Sequence, residues 1–238
     1  MNISLPSWVI PGTYGENLIF LENKSAVSGV ELLFYLYGRD VRDELERDSP
    51  VIEEYASRFT YTAHLPDKVT KEHEELVERL FPVVRHFIVH PMEGRDAEAL
   101  ARLIADWEET FSRDRENSLF LFENTKPGRL ESQLELLPSD TGLCMDTGHL
   151  LLEGRDPEEF FRHYGPRIRE IHLHAADTAA QDGRLADHRP LGKNEPWLVS
   201  LIPLLRDFTG IINIELFSWE EAAASIDILL NMTKGPLE

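Results

Sequence analysis

Eight short segments rich in β-branched, aromatic and aliphatic residues recur along the chain. They are Trp8–Pro11, Val30–Tyr35, Phe59–Leu65, His86–His90, Leu119–Asn124, Leu143–Asp146, Ile168–His174 and Ile211–Phe217. Between several of them the apolar period changes from two to about 3.6. Asp96–Phe111 shows this best: Leu100, Leu103, Ile104 and Trp107 fall on one face. Lys71–Phe81, Pro196–Phe208 and Glu220–Leu230 read as further helices. Pro82, Pro138, Pro166 and Gly210 punctuate helix ends before the strands that follow. Strand followed by helix, repeated without a shift in composition, predicts one domain over residues 1–238 built on a parallel sheet. A doubly wound open sheet would share this periodicity. However, no glycine-rich phosphate loop follows the first strand, which counts against a dinucleotide fold. The 238 residues suit a (β/α)₈ TIM barrel, whose usual size is roughly 250.

Composition narrows the class. Hydrophobic residues make up 42%, enough for a sizeable core, so disorder is excluded. The longest apolar runs, Ile211–Ile214 and Leu119–Phe122, are too short to span a bilayer, and Met1–Gly12 lacks the basic start and apolar stretch of a signal peptide. The single cysteine, Cys144, precludes an intrachain disulfide framework and fits a reducing compartment, so the expectation is a cytoplasmic protein. Lys and Arg total 24 against 43 Asp and Glu, a formal charge of −19. With no basic stripe to release counterions from phosphates, a long nucleic acid is not an expected partner; a small molecule is.

The chemistry gathers at predicted strand ends. Of nine histidines, His64, His90, His149, His172, His174 and His188 fall at strand ends or in the loops after them. Of the others, His73 and His163 lie in helical stretches, and His86 starts a strand. Acids interrupt apolar runs at the same places: Glu123 in Leu-Phe-Leu-Phe-Glu-Asn-Thr, Asp146 in Leu-Cys-Met-Asp-Thr-Gly-His, and Glu215 in Ile-Ile-Asn-Ile-Glu-Leu-Phe. An ionised carboxylate there is costly unless it is paired or bound to a metal. In a barrel all these ends meet on one face, where such enzymes place their sites. Imidazole and carboxylate together suit zinc, manganese or iron. Taken singly, each feature also has a structural reading. A strand-end histidine can be a hydrogen-bonded loop residue, a buried glutamate can pair with arginine, and Asp-Thr-Gly-His can cap a helix. The coincidence at five or six strand ends favours metal.

At these residues the sequence resembles the xylose-isomerase-like superfamily, which includes sugar isomerases and epimerases and family 2 AP endonucleases. Phe122-Glu123-Asn124-Thr125 is similar to its Leu-Glu-Asn-Thr, Met145-Asp146-Thr147-Gly148-His149 to its Asp-Thr-x-His, His172-Leu173-His174 to its His-Leu-x-Asp, and Ile214-Glu215 to its final-strand glutamate. The resemblance implies a shared metal centre of Glu123, Asp146, His172 and Glu215. It also implies endonuclease-branch ligands His64 and His90, with His149 and His188 at a third metal. Two departures stand out. Ala186 replaces the aspartate two residues before His188, with Asp187 adjacent but out of register, and this puts the third metal in question. His174 and Ala175 replace Asn-Asp, leaving either His172 or His174 as the strand-seven ligand.

Two or three clustered metals suit phosphoester hydrolysis, with Glu123 and Glu215 as catalytic carboxylates. A single metal suits an isomerase or epimerase, in which the same two acids would move protons. The His64–His90 pair favours the hydrolase, and the charge points to a small phosphodiester. Pro6–Pro11, Asn17 and Val30-Glu31-Leu32-Leu33-Phe34 resemble cobamide-remodelling phosphodiesterases, which implies the nucleotide loop of a cobamide as substrate. A barrel that binds a ligand without catalysis, its acids paired to arginines, is a third reading.

Overall fold

A computed structural model describes residues 1–111, 118–177 and 186–234. The chain alternates strand and helix: β1 Asn2–Pro6, α1 Tyr14–Leu21, β2 Gly29–Leu33, α2 Arg39–Tyr55, β3 Thr60–His64, α3 Glu74–Leu80, β4 Val84–Val89 and α4 Gly94–Phe111. It continues with β5 Phe120–Glu123, α5 Arg129–Leu134, β6 Leu143–Asp146, α6 Thr147–Leu152, α7 Pro157–Tyr164 and β7 Ile168–His172. A short antiparallel pair, β8 Ala175–Asp177 and β9 Ala186–Arg189, precedes α8 Pro196–Asp207, β10 Ile211–Asn213 and α9 Trp219–Lys234. Eight parallel strands close in the order β1-β10-β7-β6-β5-β4-β3-β2. This is the (β/α)₈ TIM barrel that the pattern predicted.

Side chains alternate between the two faces of each strand. Phe87, Phe120, Phe122, Leu143 and Met145 belong to the large apolar core, while their alternates Ile88, Leu121 and Cys144 form a separate small cluster. The residues two places further on, His90, Glu123 and Asp146, continue that second face to the strand ends. The same parity runs through Thr62 and His64, Glu170 and His172, and Asn213 and Glu215. Period two therefore brings the chemistry of six strands to one mouth.

The helices cover the other face. Ala97, Leu100, Ala101, Ile104 and Trp107 form the buried stripe of α4. Thr13 and Glu16 close a reciprocal capping box at the start of α1. Asp156, followed by Pro157, starts α7.

The first strand departs from the expectation. It is Asn2–Pro6, and Trp8–Pro11 lies in the turn after it. Asn2–Pro6 supplies the register with both neighbouring strands. The next residues instead fold back onto Asn17, which accepts from the Ile10 N–H (3.1 Å) and donates to the Ile10 carbonyl (3.2 Å). The second strand ends at Leu33 and leaves Tyr35 in the loop, and the last ends at Asn213, two residues before Glu215. His86 is the third residue of β4, not its start, and its Nδ1 lies 2.9 Å from the Ser118 carbonyl. Helix α2 carries Pro50 in its interior, and only three of its residues (Leu45, Asp48 and Ile52) are buried. Among the described residues, no helix is long and apolar enough to cross a membrane.

Candidate metal centre

His64, Glu123, Asp146 and His172 are the last residues of β3, β5, β6 and β7, and His90 follows β4 directly. His149 lies inside α6, not in a loop, and His188 lies on β9. Glu123 is buried where these elements converge. Its Oε2 is 3.2 Å from His64 Nε2 and 3.1 Å from His90 Nε2, and its Oε1 is 3.4 Å from His172 Nδ1 and 3.5 Å from His149 Nδ1. Glu215 Oε2 is 3.3 Å from His172 Nδ1, 3.4 Å from His174 Nε2 and 3.5 Å from His188 Nε2. All eight residues that the sequence nominated therefore meet in one cluster. His174 joins them.

Several imidazoles are fixed from behind. His64 Nδ1 lies 2.9 Å from the Leu65 carbonyl, His149 Nδ1 3.0 Å from the Asn124 carbonyl, and His188 Nδ1 2.9 Å from Asp187 Oδ1. His90 Nδ1 lies 3.3 Å from Asp67. A carbonyl can only accept, so Nδ1 of His64 and of His149 carries a proton, and in the neutral ring Nε2 keeps its lone pair. At His64 that lone pair faces a carboxylate oxygen, an arrangement that a cation between them reconciles. Second partners of this kind are the rule for metal-bound histidines. Both ring nitrogens of His172 and Oε2 of Glu215 are also buried without a hydrogen-bond partner. The donor set fits a divalent metal of the zinc, manganese or iron type. His64, His90 and Glu123 bring ligand atoms within 4.8 Å of one another, as do Glu123, Asp146 and His172.

His172 and His174 differ in their surroundings. His174 Nδ1 lies 2.9 Å from the backbone N–H of His188 and 3.2 Å from the Ala175 carbonyl, while its Nε2 faces Asp146 Oδ2 at 3.2 Å and Glu215 Oε2 at 3.4 Å. With His188 and Glu215 it brings ligand atoms within 4.8 Å of one another. His172 presents Nδ1 to Glu215, Glu123 and, at 4.0 Å, Asp146. His174 also explains a motif glycine: a Cβ on Gly148 would lie 2.0 Å from its ring.

Electrostatics follow from the crowding. Burial alone would raise the carboxyls of Glu123 and Glu215, but His172 and the other imidazoles outweigh it and hold both well below the usual range. Burial would lower His90 and His188. Asp67 and Glu123 instead raise His90 to about 10, and Asp187 and Glu215 raise His188 to about 9.

Several contributors were not singled out in the sequence. Tyr35 donates to Glu215 Oε1 at 2.9 Å, with its ring against His64. Asn124 accepts from the Asp146 N–H (2.8 Å) and donates to the Asp146 carbonyl (2.9 Å), zipping β5 to β6 at the site. Asp146 Oδ1 also caps α6 by accepting from the His149 N–H, so the capping role and the site role coexist. Asp187, out of register in sequence, still brings Oδ2 to 3.9 Å from His149 Nε2, where Ala186 has no acid to offer; the next residue, His188, has φ 50°. Glu31 is buried 2.9 Å from His172. An acid inside the apolar run Val30–Phe34 is the signal that marked Glu123, and it marks Glu31 equally. A cavity of about 520 Å³ lined by Arg155, Phe160, His163 and Tyr164 involves none of these groups.

Comparison with known proteins bears on the fold and the lineage. Residues 82–232 match the family described as xylose isomerase-like TIM barrel. A comparison with curated proteins finds no match. Among solved structures, the chain is similar to a D-tagatose 3-epimerase-like protein at 17% identity and TM-score 0.68, covering 98% of this chain and 97% of that one. It is similar to the probable 3-DHS dehydratase AsbF of Bacillus anthracis at 17% and 0.69, covering 99% and 100%. It is also similar to endonuclease IV of Thermus thermophilus at 17% and 0.63, covering 98% of both chains. At such identities these likenesses speak for the fold alone, whereas the family match spans more than half of the chain. The chain belongs to the xylose isomerase-like TIM barrel family.

Proposed function

We propose that this protein is a metal-dependent hydrolase that cleaves a phosphodiester in a small molecule, using two divalent ions at the barrel mouth. The observation that carries this reading is the double engagement of Glu123, whose two carboxylate oxygens face two different sets of imidazoles. A carboxylate so placed suits a bridge between two ions. His64, His90 and Glu123 would hold one; Glu123, Asp146, His172 and Glu215 would hold the other. His149 and His188, with Asp187 in place of the missing acid at Ala186, form the candidate for a third.

When bound, such ions supply Lewis-acid polarisation of a phosphoryl oxygen and lower the pKa of water at the site. The chain's own share is orientation and proton handling. Glu215, one oxygen held by Tyr35, turns Oε2 toward His172, His174 and His188, where it would hold metal and orient an attacking water. Glu123 anchors both halves of the site. The formal charge of −19 disfavours a polyanionic substrate and leaves a compact phosphodiester. Within that class, the N-terminal resemblance alone supports the nucleotide loop of a cobamide. Trp8, in that segment, is 57% exposed in the loop after β1.

Metal analysis of untagged protein tests the proposal. Two or three equivalents of zinc, iron or manganese, with hydrolysis of an aryl phosphodiester, are expected. One equivalent with His90 intact would argue against it.

A second reading, a single-metal sugar or sugar-phosphate isomerase or epimerase, is supported by the full-length likeness to the tagatose 3-epimerase-like protein and to L-ribulose 3-epimerase. Glu123 and Glu215 would then exchange a C–H proton of a ketose with solvent. Deuterium incorporation from heavy water would support that reading, and its absence across a panel of ketoses would sink it.

A further inference from the structure

Glu31 lies on β2 and His172 on β7, and neither side chain has any exposed surface. His172 Nε2 stands 2.9 Å from Glu31 Oε2, at ion-pair distance though out of line for a hydrogen bond, on the side of the ring away from Glu123 and Glu215. The Asn213 amide donates to the same Glu31 oxygen. Asn213 is the register partner of His172 on one side and of Ser4 on the other, so it is the backbone neighbour of the residue it helps to arrange.

Chemistry constrains this arrangement. A neutral imidazole carries one proton, and a ring that offers Nδ1 to a cation must keep that proton on Nε2. The carboxylate 2.9 Å from Nε2 is the group on hand to receive it. Without an acceptor there, the proton is free to reside on Nδ1, where it abolishes the lone pair that the carboxylate cluster surrounds. Glu31 is also expensive to keep: an acid sealed inside the barrel is retained only against a desolvation cost. Fully buried beneath the mouth, it has no route to a substrate. From this geometry we infer that Glu31 is a positioning residue, fixing His172 with Nδ1 free for metal, and that Asn213 holds Glu31 to that task. The inference rests on the metal reading proposed above.

The test compares purified, metal-stripped proteins by chelator-competition titration with Zn²⁺ and by the visible absorption of bound Co²⁺. In Glu31→Gln the tighter-binding equivalent should weaken by about 10–100-fold, the usual effect of removing a metal ligand's outer partner. Its Co²⁺ spectrum should change as well. Glu31→Asp, which keeps the charge, should recover part of the affinity. Tyr61→Phe separates positioning from the mere loss of a buried hydrogen bond, because Tyr61 donates to the Ile52 carbonyl at 3.0 Å on the outer, apolar face of β3. It should lower the melting temperature and leave Zn²⁺ affinity as in the wild type. Wild-type affinity in Glu31→Gln, or an equal loss in Tyr61→Phe, overturns the inference. If Glu31→Gln fails to fold, Asn213→Ser decides: weakened Zn²⁺ binding supports the assignment, and unchanged binding overturns it. A wild type that binds no metal overturns the hydrolase reading and this inference together. A metal-binding wild type with an unaffected Glu31→Gln overturns the inference alone.

Discussion

His90 Nε2 lies 3.1 Å from Glu123 Oε2, so a histidine just past β4 and the last residue of β5 meet on the side of Glu123 that faces away from His172. This contact separates a two-ion site from a one-ion site. His90→Ala should therefore lower the metal content by one equivalent while leaving the Asp146–His172–Glu215 position loaded. Phosphodiester hydrolysis should fall by about 100-fold or more, since even outer partners of metal sites reach effects of that size. Elemental analysis and initial rates on the same preparation check both halves.

Protons compete with metal at this site. In the metal-free protein His90 holds its proton up to about pH 10 and His188 up to about pH 9. Metal uptake at neutral pH should therefore release protons, and apparent affinity should climb as pH rises toward 9–10. For the metal-free protein the sign for stability is opposite. The folded value for His90 lies above the unfolded value of about 6.5, so its contribution is complete below that pH and is lost as pH rises through about 10. Weakly buffered titrations with Zn²⁺, read with a pH electrode, test the first statement. Melting curves of stripped protein across pH 6–10 test the second.

Stripping the ions should destabilise the fold itself. Six barrel strands deliver charged or imidazole groups to one buried cluster, and Glu123, Asp146, His172 and Glu215 are each at most 3% exposed. At a free metal concentration 100 times the dissociation constant, one bound ion adds about 2.7 kcal/mol. A chelator should lower the melting temperature, and excess Zn²⁺ or Mn²⁺ should restore it. A melting temperature indifferent to both would favour a non-catalytic barrel.

Gly148→Ala should damage the site more than the fold. The added methyl would sit 2.0 Å from Cε1 and 2.3 Å from Nδ1 of His174, so the ring must move off Asp146. Overpacking of this kind costs roughly 1–3 kcal/mol. The expected outcome is a folded protein with a modest drop in stability and a larger drop in hydrolytic rate, measured by denaturant titration beside kinetics.

Asn124→Ala removes both hydrogen bonds that join its side chain to the Asp146 backbone, leaving the buried Asp146 N–H unsatisfied and its carbonyl with only the first helical bond of α6. A cost of about 1–3 kcal/mol per group is expected. Metal affinity should fall as well, because the end of β6 loses its anchor. Asn124→Asp, which retains the acceptor for the Asp146 N–H, should suffer less in stability.

The sequence by itself determined the barrel and the residues of its candidate site, because both are local signals. Apolar runs alternating with helical stripes announce strand and helix, and an acid such as Glu123 or Asp146 inside an apolar run has few tolerable explanations. Its first strand was misplaced at Trp8–Pro11 because that run looks apolar, whereas pairing with β2 and β10 selects Asn2–Pro6. What only the tertiary structure decided depends on contacts between distant elements. The backbone N–H of His188, reaching His174 Nδ1 from β9, ties that ring to the strand pair beyond β7. Closure of the barrel brings Glu31 behind His172, and the turn of the chain at His188 brings Asp187 toward His149, although neither pairing follows from spacing. A proton's place on a ring is set by whatever stands within about 3 Å of it. The sequence supplies the ring, and only the folded chain supplies that neighbour.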